Sequence, residues 1–141
     1  MKVILNRVNQ DYLFEVKNQN GHKVVLDNIS KKEGKVAGVS PMELLLMGLA
    51  GCSSIDIIAI LKKQKINTKD LRVEVEGQRE PDQVPSLFHK IDVVVHIAGE
   101  IPPEKAKRAV SLSLEKYCSV AKTLEYSSQI FHSIFLNGNE I

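Results

Sequence analysis

Tryptophan is absent from this 141-residue chain, and aromatic residues make up only 5% of it. Charge of one sign is scarce too. The 19 Lys and Arg residues against 17 Asp and Glu leave a net charge of +2. They are spread along the chain with no aromatic-interleaved basic patch, which gives no support to nucleic-acid binding. The longest uninterrupted apolar stretch, around Leu44 to Ala50, falls far short of the ~20 residues that cross a bilayer. The opening Met1-Lys2-Val3-Ile4-Leu5-Asn6-Arg7 lacks the apolar core and cleavage site of a secretory signal. A cytoplasmic protein without membrane attachment is expected. No phosphate loop is present, and His22, His89, His96 and His132 show no ligand spacing. His89 and His96 are seven residues apart on one candidate strand and so face opposite sides of it. Neither a metal site nor a cofactor is expected.

Cysteine is equally scarce, with Cys52 and Cys118 alone in the chain. In a reducing compartment two cysteines are not a structural staple by default, so a transient, redox-active pair is a fair reading. Composition places the rest: 43% hydrophobic and 26% charged residues are globular averages, and this length suits one domain, residues 1–141.

Three strands are expected at about Lys2–Val8, Tyr12–Lys17 and His22–Asp27, separated by turn-forming Asn, Gln, Asp and Gly clusters. They make an antiparallel meander. A polar loop from Lys31 to Gly38 follows. Ser40, Pro41 and Glu43 then combine a capping box with a proline at the first helical position. The helix they open is expected to reach about Lys65. It is apolar on nearly every side and rich in small residues (Gly48, Ala50, Gly51, Ser53, Ser54), the pattern of a buried central helix closely approached by another element. Its basic end, Lys62-Lys63-Gln64-Lys65, reads as a solvated helix terminus complementing the macrodipole.

Alternation predicts a half-exposed strand over Arg72–Arg79 and a better-covered one over His89–Ala98. A helix from Pro102-Pro103-Glu104 to about Tyr117, a short helix from Ser119 and a strand over Ile130–Leu136 complete an α+β chain with helices against antiparallel sheets. On that last strand Ile130, His132, Ile134 and Leu136 share one face.

Two segments carry a resemblance. Ser-Pro-x-Glu-Leu-Leu leads to Ala-Gly-Cys between Ser40 and Cys52, and Cys-Ser-Val-Ala-Lys-Thr-Leu runs from Cys118 to Leu124, 66 positions after the first cysteine. With the strand and helix order, they make the chain resemble the OsmC/Ohr (osmotically inducible protein C / organic hydroperoxide resistance) superfamily. Gly-Cys-Ser-Ser-Ile-Asp at 51–56 and Glu-Gly-Gln-Arg at 76–79 are similar to a small bacterial branch of it. The resemblance implies an OsmC-like intertwined homodimer with antiparallel sheets packed around a long central helix and two sites at the subunit interface. It also implies thiol-dependent reduction of hydroperoxides, preferably organic ones. Cys52 would attack the peroxide, Cys118 would resolve it as a disulfide, and a dithiol reductant of lipoyl or thioredoxin type would reopen the bond.

The other candidates follow from that chemistry. A mid-helix Cys52 lies about 16 Å from the helix start at ~1.5 Å per residue, so its thiolate needs a cation from tertiary structure. Arg7, in the region where peroxidase branches place their arginine, and Arg79, suggested by the nearer branch, are the two candidates. Glu43 fits the cap, and in the family an equivalent glutamate positions the arginine. At nine residues from Cys52 it lies about 13.5 Å away along the axis, so it would serve the thiol of the other subunit. Cys118 precedes a short helix whose N–H groups would stabilise a thiolate. Asp56, one turn beyond Cys52, reads as structural or modulating, since an anion there raises a thiol pKa. Met42 stands where peroxidase branches often carry an acid. A second class of function fits the same residues: a non-catalytic or differently catalytic OsmC-like dimer binding a small apolar or thiol-reactive ligand.

Overall fold

A computed structural model describes residues 1–28 and 36–141; most of the expected polar loop, through Lys35, lies outside the described residues. The chain divides into two compact units, residues 1–45 and 46–141.

The first unit is the expected meander. Strands β1 (Val3–Arg7), β2 (Phe14–Asn18) and β3 (Lys23–Leu26) form an antiparallel sheet in that order. Asn9 and Asn18 shape its turns, each side-chain oxygen accepting two backbone N–H bonds, the local chemistry that makes Asn a turn residue. Apolar side chains remain in the open along β1, with Val3, Ile4 and Leu5 all exposed.

Helix α1 (Pro41–Lys63) starts where its capping box dictates. The Glu43 N–H donates to Ser40 Oγ (3.2 Å), and the Ser40 N–H donates to the Glu43 carboxylate (2.7 Å). Lys65 closes its other end in the left-handed region (φ 61°). There the Ile66 N–H returns to Leu61 O and the Lys65 N–H to Lys62 O, the paired closure that usually recruits glycine.

The helix is not the wholly buried element its composition suggests. Leu49, Ser53, Ile57 and Leu61 are buried, a single stripe at four-residue spacing, while Leu45, Met47 and Ile55 are exposed. Nor is there close approach at its glycines. A side chain on Gly48 would meet Val120 only at an ordinary 3.9 Å, and one on Gly51 would meet nothing. By length and composition α1 could also span a bilayer, with a mean hydropathy of 2.2 over 18 residues, 22% of them buried. Run length missed this because Gly and Ser interrupt the run without lowering its average much.

The second unit completes the α+β architecture. Strands β4 (Asp70–Arg79), β5 (Phe88–Ala98), β6 (Gln129–Leu136) and β7 (Asn139–Glu140) form a sheet in that order. Between β5 and β6 run α2 (Pro103–Leu112), a π-helical turn (Ser113–Tyr117) and α3 (Ser119–Leu124). That crossover makes β5 and β6 parallel, whereas β4–β5 and β6–β7 are antiparallel. The parallel pair departs from the all-antiparallel expectation, because a long helical return delivers the chain to the same end of the sheet. Ile91, Val93, Val95 and Ile97 of β5 are buried in strict alternation, as expected for an interior strand with one covered face. The face of β6 shared by Ile130, His132, Ile134 and Leu136 is open at its start and buried at Ile134 and Leu136.

One glycine in this sheet is a packing requirement. A Cβ at Gly77 would stand 2.5 Å from the ring of buried Phe88 and 3.1 Å from Leu46. Gly77→Ala must displace that ring, and is expected to lower stability by about 1–3 kcal/mol, read as a fall in the urea midpoint at unchanged slope.

Candidate active site

The second unit brings the two cysteines together through one serine. Ser113 opens the π-helical turn, and its hydroxyl donates to the backbone carbonyl of Ser53, the residue after Cys52 (3.2 Å). Its own carbonyl accepts the N–H of Cys118 (2.8 Å). Ser113 thus ties one cysteine's neighbour to the other cysteine's backbone. The extra residue in the π turn ends α2, and Cys118 itself becomes the N-cap of α3, with φ −67° and ψ 103°. Such widened turns recur at functional sites. On the α1 side Ser53 faces inward, its hydroxyl returned to Leu49 O (2.9 Å) and Ala50 O (3.2 Å), which leaves Cys52 half-buried on the adjoining face.

The two Sγ atoms and a carboxylate oxygen of Asp56 all lie within 4.8 Å of one another. Both thiols are free. Asp56 joins them because a spacing of four stacks side chains on one helix face. Its Oδ2 is buried and has no hydrogen-bond partner among the described residues. Three donor atoms that could hold a metal ion therefore converge where sequence spacing, read from the histidines, offered none. Two of those histidines serve the surface of the sheet: His96 meets Glu74 (3.0 Å) and stacks on Phe135, and His89 meets Glu80 (3.4 Å).

Electrostatics separate the thiols. Burial pushes the Cys118 thiol up from 9.0 to about 11, the adjacent Cys52 adds to the rise, and the Ala121 N–H (3.4 Å from Sγ) and that of Val120 oppose it. This corrects the expectation of a thiolate stabilised by the short helix. The donors are in place, but loss of water around a fully buried sulfur outweighs them. Beside Asp56 opens a groove of about 560 Å³ whose walls include Ile60, Lys63, Lys105, Arg108 and Tyr117.

The remaining candidates are engaged locally. The Arg79 guanidinium donates through Nε (3.0 Å) and Nη2 (2.8 Å) to the carbonyl of Ser86. In the first unit Arg7 donates to the carbonyls of Asp11 (3.0 Å) and Gln10, and Glu43 is held in the cap of α1. The basic groove and the Ser113 tether had no sequence signal of their own. Lys105 and Arg108 are an ordinary i,i+3 pair until α2 is placed beside α1, and a π turn has no residue signature.

The family model for OsmC-like protein matches residues 32–133. The chain belongs to that family. Protein YhfA of Escherichia coli (strain K12) is 38% identical over 114 residues, 80% of this chain and 81% of that protein. A hypothetical protein from Aquifex aeolicus superposes with TM-score 0.84 at 28% identity, covering 96% of this chain and 95% of that one. The organic hydroperoxide resistance protein OhrB of Bacillus subtilis shares the fold at TM-score 0.69 and 20% identity, with 96% of each chain covered.

For this OsmC-like chain the raised Cys118 pKa has a definite pH signature. In Cys52→Ser, alkylation of Cys118 by iodoacetamide is expected to have its midpoint above 9.0, since burial remains. The folded state also holds that proton more tightly than the unfolded one. The stability it contributes is complete below about pH 9 and lost as pH rises toward 11. An alkylation midpoint below 9 would contradict the assignment.

Proposed function

We propose that this protein is a thiol-dependent reductase of organic hydroperoxides. The observation that carries the reading is the meeting of Cys52 and Cys118 with their donor atoms within 4.8 Å. Family membership supports it, as does the likeness of fold to OhrB, a protein named for organic hydroperoxide resistance. Cys52, half-buried, is the attacking sulfur; Cys118, fully buried and protonated at neutral pH, is a poor first nucleophile and resolves. Cys52–SH and ROOH give Cys52–SOH and ROH. The sulfenic acid and Cys118–SH then give the disulfide and water. A dithiol of lipoyl or thioredoxin type reduces the disulfide by exchange, returning both thiols and leaving as its own disulfide.

Residues 1–141 act in this proposal as one OsmC-like domain, with α1 running unbroken through both units, and two copies form a cytoplasmic homodimer. The exposed apolar residues of β1 and α1 argue for a second copy, since a chain this small cannot cover a helix that is apolar all round. Arg7 or Arg79 supplies the cation for Cys52, with Glu43 of the other subunit orienting it. A second reading, an OsmC-like dimer that binds a small apolar or thiol-reactive ligand without turnover, is favoured by one observation: Arg79 is spent on the Ser86 carbonyl.

The experiment is peroxide consumption coupled to NADPH through a lipoamide or thioredoxin system. Cys52→Ser is expected to abolish turnover with the fold retained. Cys118→Ser should allow one turnover and then hold Cys52 as sulfenic or over-oxidised sulfur, visible as added oxygen by mass spectrometry. Wild-type turnover by Cys52→Ser would favour the ligand-binding reading. For the assembly, sedimentation is expected to give a dimer at micromolar concentration, and a stable folded monomer would remove the shared site.

A further inference from the structure

The peroxide chemistry makes no use of Asp56. Its buried Oδ2 has no hydrogen-bond partner among the described residues, and leaving a buried polar atom unpaired is costly. A carboxylate oxygen of Asp56 also lies within 4.8 Å of both sulfurs. A bound cation would satisfy this cluster. We propose that reduced Cys52, Asp56 and Cys118 form a binding site for one thiophilic divalent cation of the Zn²⁺ class per chain.

The donor set fits such an ion. Tetrahedral zinc takes sulfur at about 2.3 Å and carboxylate oxygen at about 2.0–2.2 Å, which spaces ligand atoms roughly 3.5–4 Å apart. Atoms already within 4.8 Å need only a small inward rotation of side chains. Two thiolates select zinc-like ions over Mg²⁺ and Ca²⁺. The outer shell is in place on the Cys118 side, where the Ala121 N–H already points at Sγ and would support a metal-bound thiolate. Of the three ligands, Asp56 also lines the groove that holds Tyr117. Two thiolates, a carboxylate and a dication sum to −1, and Lys63, Lys105 and Arg108 along the same groove offset the excess.

Binding exchanges protons for metal: Zn²⁺ and two thiols give the dithiolate complex and two H⁺. Affinity therefore rises with pH. The titratable groups that share the groove with Asp56 are Lys63, Lys105, Arg108 and Tyr117. Metal and disulfide exclude each other, because each uses both sulfurs. The consequence for turnover rests on the peroxidase reading: two bound thiolates, ROOH and two H⁺ give disulfide, ROH and water, with Zn²⁺ released. Metal binding itself does not rest on it.

The test titrates Zn²⁺ into reduced, metal-free wild-type protein against a chromophoric chelator, with Co²⁺ as a second probe whose thiolate charge-transfer band reports the sulfurs. One ion per chain is expected, with the Co²⁺ band present. Asp56→Asn should weaken binding about tenfold or more, and protein oxidised to the disulfide by diamide should bind none. Failure of the reduced wild type to bind more tightly than its oxidised form overturns the proposal without any variant. So does Asp56→Asn binding at wild-type affinity. Mass analysis after peroxide in the absence of metal separates the two readings: disulfide without Zn²⁺ binding removes this site alone, and Zn²⁺ binding without disulfide removes the peroxidase reading alone.

Discussion

Everything distinctive about this molecule's chemistry depends on how Ser113 spans two backbones. A hydroxyl and a carbonyl of one residue hold α1 just past Cys52 and the amide of Cys118, both inside a buried region. Because the bonds are to backbone, their geometry does not depend on which side chains surround them. The low dielectric makes each more costly to leave unmade than to make. The thiols themselves need form no bond to be neighbours. A cysteine pair positioned by its own disulfide would lose its arrangement on reduction, whereas this pair is arranged while both sulfurs are free.

A second constraint comes from α1. Its buried stripe of Leu49, Ser53, Ile57 and Leu61 uses one side of the helix, and the apolar side chains of Leu45, Met47 and Ile55 remain exposed among the described residues. Gly51 leaves open space and Gly48 an ordinary contact with Val120, so among the described residues neither glycine relieves a clash. Hydrophobic burial scales with area removed from water, and in the proposed dimer a second copy of the same surface would remove it.

Legibility in the sequence followed the range of the interactions. The cap of α1 was readable because Ser40, Pro41 and Glu43 act within one turn, and the strands were readable because alternation is a local property. The parallel pairing of β5 with β6 was not, since Val93 and His132 alternate the same way whichever direction their strands run. The same limit governs the site. Cys52 and Cys118 were found by residue type and resemblance, and Asp56 by its four-residue spacing. What Asp56 does there depends on a sulfur that arrives from far along the chain. For Cys118 the local rule and the outcome have opposite signs. Helix N–H groups near a thiol are a short-range feature visible in sequence, while the burial that overrides them is set by residues scattered across the unit.

That reversal gives the two sulfurs different characters without different neighbours. The same 4.8 Å cluster holds one half-buried thiol and one fully buried one, and burial holds the second in its protonated form. In the proposed reaction, protonation of Cys118 would keep it from competing for the incoming peroxide. Once the first sulfur has been oxidised, Cys118 is already in place, and its proton leaves only when its electrons are needed. Burial would slow that step if the sulfur had to stay ionised. Capture of a neighbouring sulfenic acid makes water and a neutral disulfide, so no buried charge outlasts it. In that proposed reaction, the desolvation that makes Cys118 a poor first nucleophile would also make its product, an uncharged bond in a dry setting, the favoured resting place for the pair after oxidation.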